Sequence, residues 1–130
     1  GINGSTSTSS TSFNYGSMTV NTLSSNKTVA HTINFSFSGT AFNVTNFNIS
    51  GRAGNLVTIN STFPPTAGTI SKSSGIVSSD FLSLQNSNAT GGATWYAGAN
   101  STNVSNNTGW IFTAPPAATG NTSSFFLLFN

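Results

Sequence analysis

Val29-Ala30-His31-Thr32-Ile33-Asn34-Phe35-Ser36-Phe37 and, one short turn later, Phe42-Asn43-Val44-Thr45-Asn46-Phe47-Asn48-Ile49 decide the fold. Ile33, Phe35 and Phe37 alternate with Thr32, Asn34 and Ser36, and Phe47 and Ile49 alternate with Asn46, Asn48 and Ser50. A period of two puts the apolar side chains on one face of an extended strand and the hydroxyls and amides on the other. Each strand is therefore expected to bury one side and wet the other.

Outward from that stretch the same grammar repeats. Short apolar segments at Met18-Val20, Leu56 to Ile59, Thr69 to Ser71, Val77 to Leu84, Trp95-Tyr96, Trp110 to Phe112 and Phe125 to Phe129 read as strands. Between them lie Ser38-Gly39, Ser50-Gly51, Ala53-Gly54-Asn55, Ser74-Gly75 and Gly91-Gly92, which mark turns. No segment sustains an i, i+3, i+4, i+7 apolar stripe, and strong helix formers are scarce, so helix is not expected. Residues 1–12, which include the run Gly-Ser-Thr-Ser-Thr-Ser-Ser-Thr-Ser from Gly4, read as a flexible N-terminal arm, and residues 13–130 as a single all-β domain. A shift of 35 residues lays Gly39 to Ile49 over Ser74 to Leu84, Phe42 on Val77 and Phe47 on Leu82, a faint internal echo. Repeated short strands with outward Asn and Thr predict a short parallel β-solenoid, whose rungs stack like on like. An antiparallel β-sandwich of jelly-roll type shares the alternation and stands as the alternative.

Composition bears on function. Only Lys27, Arg52, Lys72 and Asp80 are charged, 3% of the 130 residues, where a soluble domain ordinarily carries about a quarter. In their place stand 18 Asn, 23 Ser and 20 Thr, so the surface is polar but neutral. Three scattered cations cannot displace the counterions of a nucleic acid, and no apolar run is long enough to insert into a membrane. Eleven Phe, two Trp and two Tyr argue for a packed core over disorder. With no cysteine and a single carboxylate, neither thiol chemistry nor a carboxylate pair is available within one chain. No catalytic residue, metal site or cofactor is expected. His31 reads as a strand residue bonded to a neighbour rather than a triad base, and Asp80 as a partner for Lys72 across a rung.

Residues 50–116 carry a resemblance. A Gly54-Asn55 turn leads into Val57-Thr58, a Ser71-Lys72-Ser73-Ser74-Gly75 rung follows, and Asp80 to Ser87 precedes Trp95, Ala97, Gly98, Asn100, Ser101, Asn106, Asn107, Thr108, Gly109, Trp110 and Phe112. This half of the chain resembles the terminal β-helix module of phage virion structural proteins and bacterial surface proteins. The spacer Thr113-Ala114-Pro115-Pro116 and the aromatic terminus are similar to endings of phage structural proteins. The resemblance implies a scaffold on a virion surface or in an extracellular setting and no catalytic residue. Partners would be copies of the chain itself and a capsid or other structural protein.

Two groups of side chains are candidates for that role. Phe125, Phe126, Leu127, Leu128 and Phe129 form an apolar strand suited to assembly. Trp95, Tyr96 and Trp110 would either plug the end of the apolar column or, if exposed, stack on sugars. Asn-x-Ser/Thr occurs at Asn3, Asn26, Asn34, Asn43, Asn48, Asn60, Asn88, Asn100, Asn103, Asn106 and Asn121, each a glycan acceptor in a secreted cellular protein or an outward amide in a stack.

Overall fold

A computed structural model of the chain describes residues 10–13, 18–35 and 41–117. They form strands β1 (Ser10–Phe13), β2 (Met18–Ser24), β3 (His31–Phe35), β4 (Phe42–Asn48), β5 (Val57–Ser61) and β6 (Gly68–Ser71) in the first half. The second half supplies β7 (Ile76–Ser78), β8 (Leu82–Gln85), β9 (Ser87–Thr90), β10 (Thr94–Tyr96), β11 (Thr102–Ser105) and β12 (Trp110–Ile111). There is no helix among the described residues.

Every pairing between these strands is parallel. Parallel neighbours need a crossover, so the chain must travel round before it returns to the same wall. Three walls result: a five-stranded sheet in the order β1-β3-β5-β8-β11, a four-stranded sheet β2-β4-β6-β9 and a three-stranded sheet β12-β10-β7. The chain is a β-solenoid of about four turns, and the sandwich alternative is ruled out by the parallel register.

Like stacks on like inside. His31 faces Val57 and Val57 faces Leu82, while Ile33, Ile59 and Leu84 form the next column. The four-stranded sheet contributes Met18, Phe42, Ile70 and Ala89 in register. Ile33, Val57, Ile59, Ile70, Leu82 and Leu84 have no solvent exposure, and each such side chain contributes about 2 kcal/mol on burial. Phe13, Phe35 and Phe42 meet at centroid distances of 4.8–5.6 Å near the first rung.

At one corner Asn86 Nδ2 donates to Asn60 Oδ1 and Asn106 Nδ2 to Asn86 Oδ1, both at 2.9 Å. Asn86 and Asn106 hold φ of 51° and 57°, the left-handed conformation that Asn tolerates better than other side chains. This is the stacked amide ladder expected of a solenoid.

Four local readings need correction. Ser10, Thr11 and Ser12 belong not to a loose arm but to β1, in register with Thr32, Ile33 and Asn34; the rest of the arm, residues 1–9, lies outside the described residues. Val77 to Leu84 is not one strand, because Ser79 to Phe81 turn a corner and separate β7 from β8. The 35-residue echo does not describe the stacking: Phe42 lies opposite Ile70 and Phe47 opposite Leu23. Lys72 and Asp80 do not depend on each other. Lys72 Nζ donates to the Thr45 carbonyl, while Asp80 is held by Asn100 and Phe81.

Candidate functional site

The two ends of the solenoid differ. In the last rungs Val77, Trp95 and Trp110 stack in register, and the two indoles meet edge to face at 5.1 Å. Phe47 packs against both rings, at 5.4 and 6.0 Å. Each indole N–H has an internal acceptor, Thr90 O for Trp95 and Ser87 Oγ for Trp110, both at 3.0 Å. Trp95 is 2% and Trp110 8% exposed, so these rings fill the column and offer no face to a sugar. Tyr96, half-buried, points away from that cluster on the alternate side of β10.

The first rung is less complete. Phe13, Met18 and Val20 pack on the core but remain half-buried, and β1 and β2 each have one edge without a partner strand among the described residues. At the other extreme, β11 is exposed throughout and shifts register between Asn103 and Ser105, a bulge that leaves Val104 exposed. Bulges blunt a sheet edge against further pairing, and β1 and β2 carry none. Phe125, Phe126, Leu127, Leu128 and Phe129 lie outside the described residues.

His31, buried at the start of β3, is tied at both ring nitrogens. Nδ1–H donates to Val29 O, and Nε2 shares a hydrogen bond with Ser25 Oγ, each at 2.8 Å. Ser25 N–H in turn donates to Asn48 O. A serine on an oriented imidazole is the beginning of a nucleophilic pair, yet here it also straps the end of β2 to the start of β3 and to β4 below.

Asp80 organises the corner between β7 and β8. Its Oδ1 accepts from Phe81 N–H and Asn100 N–H at 2.9 Å, and Oδ2 from Asn100 Nδ2 at 2.8 Å. Burial of the carboxyl works to raise its pKa, and the three hydrogen bonds to the ionised form outweigh it, so the net shift is downward. Gly98 runs so close that a Cβ there would strike the carboxylate and Ser79 O.

That corner borders a shallow groove of about 640 Å³ lined by Ala30, Leu56, Phe81 and Asn100 along one side and by Thr58 and Ser83 along the other, with Ala53 and Gly54 of a turn above. Sequence reasoning passed over Leu56 and Phe81. The available signal was parity: in Leu56-Val57 and Phe81-Leu82 two large apolar residues are adjacent, and a period-two strand can bury only one of each pair.

No family model, no curated protein and no solved structure matches the chain.

Proposed function

We propose that the chain is a non-enzymatic structural protein of a virion surface, a capsid decoration, head fibre or tail appendage subunit, acting by self-association or by docking on a particle. The observation that carries this reading is the inequality of the ends: a first rung with half-buried Phe13, Met18 and Val20 and unblunted edges, opposed to a last rung filled by Trp95 and Trp110. The neutral surface and the resemblance of residues 50–116 to terminal β-helix modules support it. Assembly through apolar and backbone contacts on a neutral protein should be nearly indifferent to salt.

The test is mass spectrometry of purified particles from the source culture, paired with light scattering of the isolated chain. Co-purification with a capsid protein, and loss of that association in Met18→Asp with Val20→Asp, are the expected results. A chain absent from particles and monomeric at every concentration would sink the reading.

A second reading, an extracellular filament or adhesin subunit assembled by strand addition, is favoured by the edges of β1 and β2, which have no partner strand among the described residues. N-glycosylation would fit it unevenly, because the side-chain nitrogens of Asn34, Asn43, Asn88, Asn100 and Asn106 already donate hydrogen bonds inside the solenoid. Asn26, Asn48 and Asn103 are exposed acceptors. A loss of mass on enzymatic removal of N-glycans from the secreted protein would select this reading over the first.

A further inference from the structure

The groove beside the five-stranded sheet is built from two columns that the parallel register makes continuous. Ala30, Leu56 and Phe81 each precede by one residue the in-register set His31, Val57 and Leu82, so they lie above one another on successive rungs. Asn100 continues the same column, since it stands two before Thr102 as Phe81 stands two before Ser83. Beside it runs a column of hydroxyls, Ser10, Thr32, Thr58, Ser83 and Thr102, again in register from rung to rung. Neighbouring rungs are about 4.8 Å apart, so an apolar stripe and a hydroxyl stripe run side by side along the solenoid axis. No charged side chain lines the groove.

Phe81 sits there at a cost. Its φ of 55° is left-handed, a conformation disfavoured for a bulky side chain by about 1–2 kcal/mol. The corner holds it: Phe81 N–H donates to Asp80 Oδ1 at 2.9 Å, and Phe81 O accepts from Val57 N–H at 3.1 Å. The same carboxylate fixes both the N–H and the side-chain amide of Asn100. An Asn or Gly would take this backbone without strain; a phenyl ring adds a half-buried apolar surface to the groove instead.

We propose that this groove binds a neutral glycan chain lying along the solenoid axis. The apolar stripe of Leu56 and Phe81 would receive the C–H faces of successive sugar rings, and Thr58, Ser83 and Asn100 would meet their hydroxyls. The absence of charge from the lining favours a neutral over an acidic polysaccharide. This site is separate from Trp95 and Trp110 and stands independently of the assembly reading.

The experiment is amide-shift mapping of the isotope-labelled full chain with cellohexaose, maltohexaose and chitohexaose, each taken to about 10 mM because shallow neutral sites bind weakly. A hexamer of galacturonate serves as the acidic comparison. At least one neutral hexasaccharide should shift residues 30, 53–58, 81–83 and 100 saturably. Phe81→Gly, which suits the backbone, should weaken that binding by about tenfold, the upper worth of one aromatic contact. Leu56→Ser provides a second variant with the corner intact, and should weaken it as well. Thr19→Ala on the four-stranded sheet should leave affinity unchanged. Silence with all three neutral sugars, shifts located elsewhere, equal or tighter binding of the galacturonate, or undiminished binding by both groove variants would each overturn the proposal.

Discussion

Asn86 is the residue at which the amide ladder can be weighed. It is 3% exposed, donates to Asn60 Oδ1, accepts from Asn106 Nδ2, and holds a φ of 51°. Its backbone is also engaged, N–H to Ser105 O and O to Gly68 N–H, but those bonds survive a side-chain change that keeps the fold. Asn86→Ala removes two side-chain hydrogen bonds worth about 1 kcal/mol each. The cost of orphaning their partners is softened, since Asn60 Oδ1 still accepts from Ser61 N–H and Asn106 Nδ2 still donates to Pro65 O. Alanine adds about 1 kcal/mol for its poor fit to a left-handed backbone. The total is about 3 kcal/mol. Asn86→Gly loses the same two bonds but pays no conformational penalty, so it should lie about 1 kcal/mol above the alanine variant. Urea unfolding followed by fluorescence of the two tryptophans measures both, and the thermal midpoint should fall by about 4 °C per kcal/mol. An alanine variant as stable as the glycine variant, or a loss under about 0.5 kcal/mol for either, would refute the claim that ladder and backbone jointly fix this corner.

Other outcomes follow from the same geometry. Because the Asp80 pKa is lowered in the folded chain, its contribution is present above the unfolded carboxylate pKa of about 4 and is lost as pH falls through the folded value. The Asp80 contribution should thus be constant above about pH 5 and decline in acid, whereas Asp80→Asn should be less stable at neutral pH and lack this acid limb. Trp95→Ala, which empties a ring position that Phe47 and Trp110 both contact, should lose about 3–5 kcal/mol by denaturant titration. Gly98→Ala should fail to accumulate as folded protein by circular dichroism, since its φ of 92° is left-handed and its Cβ would collide with Asp80 and Ser79.

What the sequence revealed and what it hid follow one physical rule. Large inward residues on alternate positions, as in Ile33 and Phe35 or Val57 and Ile59, make a strand visible, and those strands were legible. β9 and β11 were not, because Ser87 and Ala89 are the inward residues of the first and the second has no large buried side chain at all. Both are strands because a neighbouring rung supplies the ladder: Ser87 to Thr90 pair with Gly68 to Ser71, and Thr102 and Asn103 with Ser83 and Leu84. Tertiary pairing of this kind leaves no mark on local composition. The groove was hidden for the opposite reason, since Leu56 and Phe81 look like core when read along the chain and face outward only once Val57 and Leu82 are seen to fill the column.

Repeat length was illegible for a further reason, and it bears on how the solenoid is specified. The chain advances 26 residues from His31 to Val57, 25 from Val57 to Leu82 and only 19 from Ser83 to Thr102. No single shift aligns these rungs, so a search at constant period finds chance matches such as the one at 35. The walls tolerate this because parallel pairing constrains only the strands, and the loops between them can grow or shrink at small entropic cost. Register is then set by the inward columns and by the corner clamps. A slip of one residue would turn Ile59 outward and Asn60 inward, and would also detach Asn60 from Asn86. The amide ladder and Asp80 therefore do for the corners what the Ile33, Ile59 and Leu84 column does for the wall: each rejects the registers that a run of polar, uncharged side chains would otherwise leave close in energy.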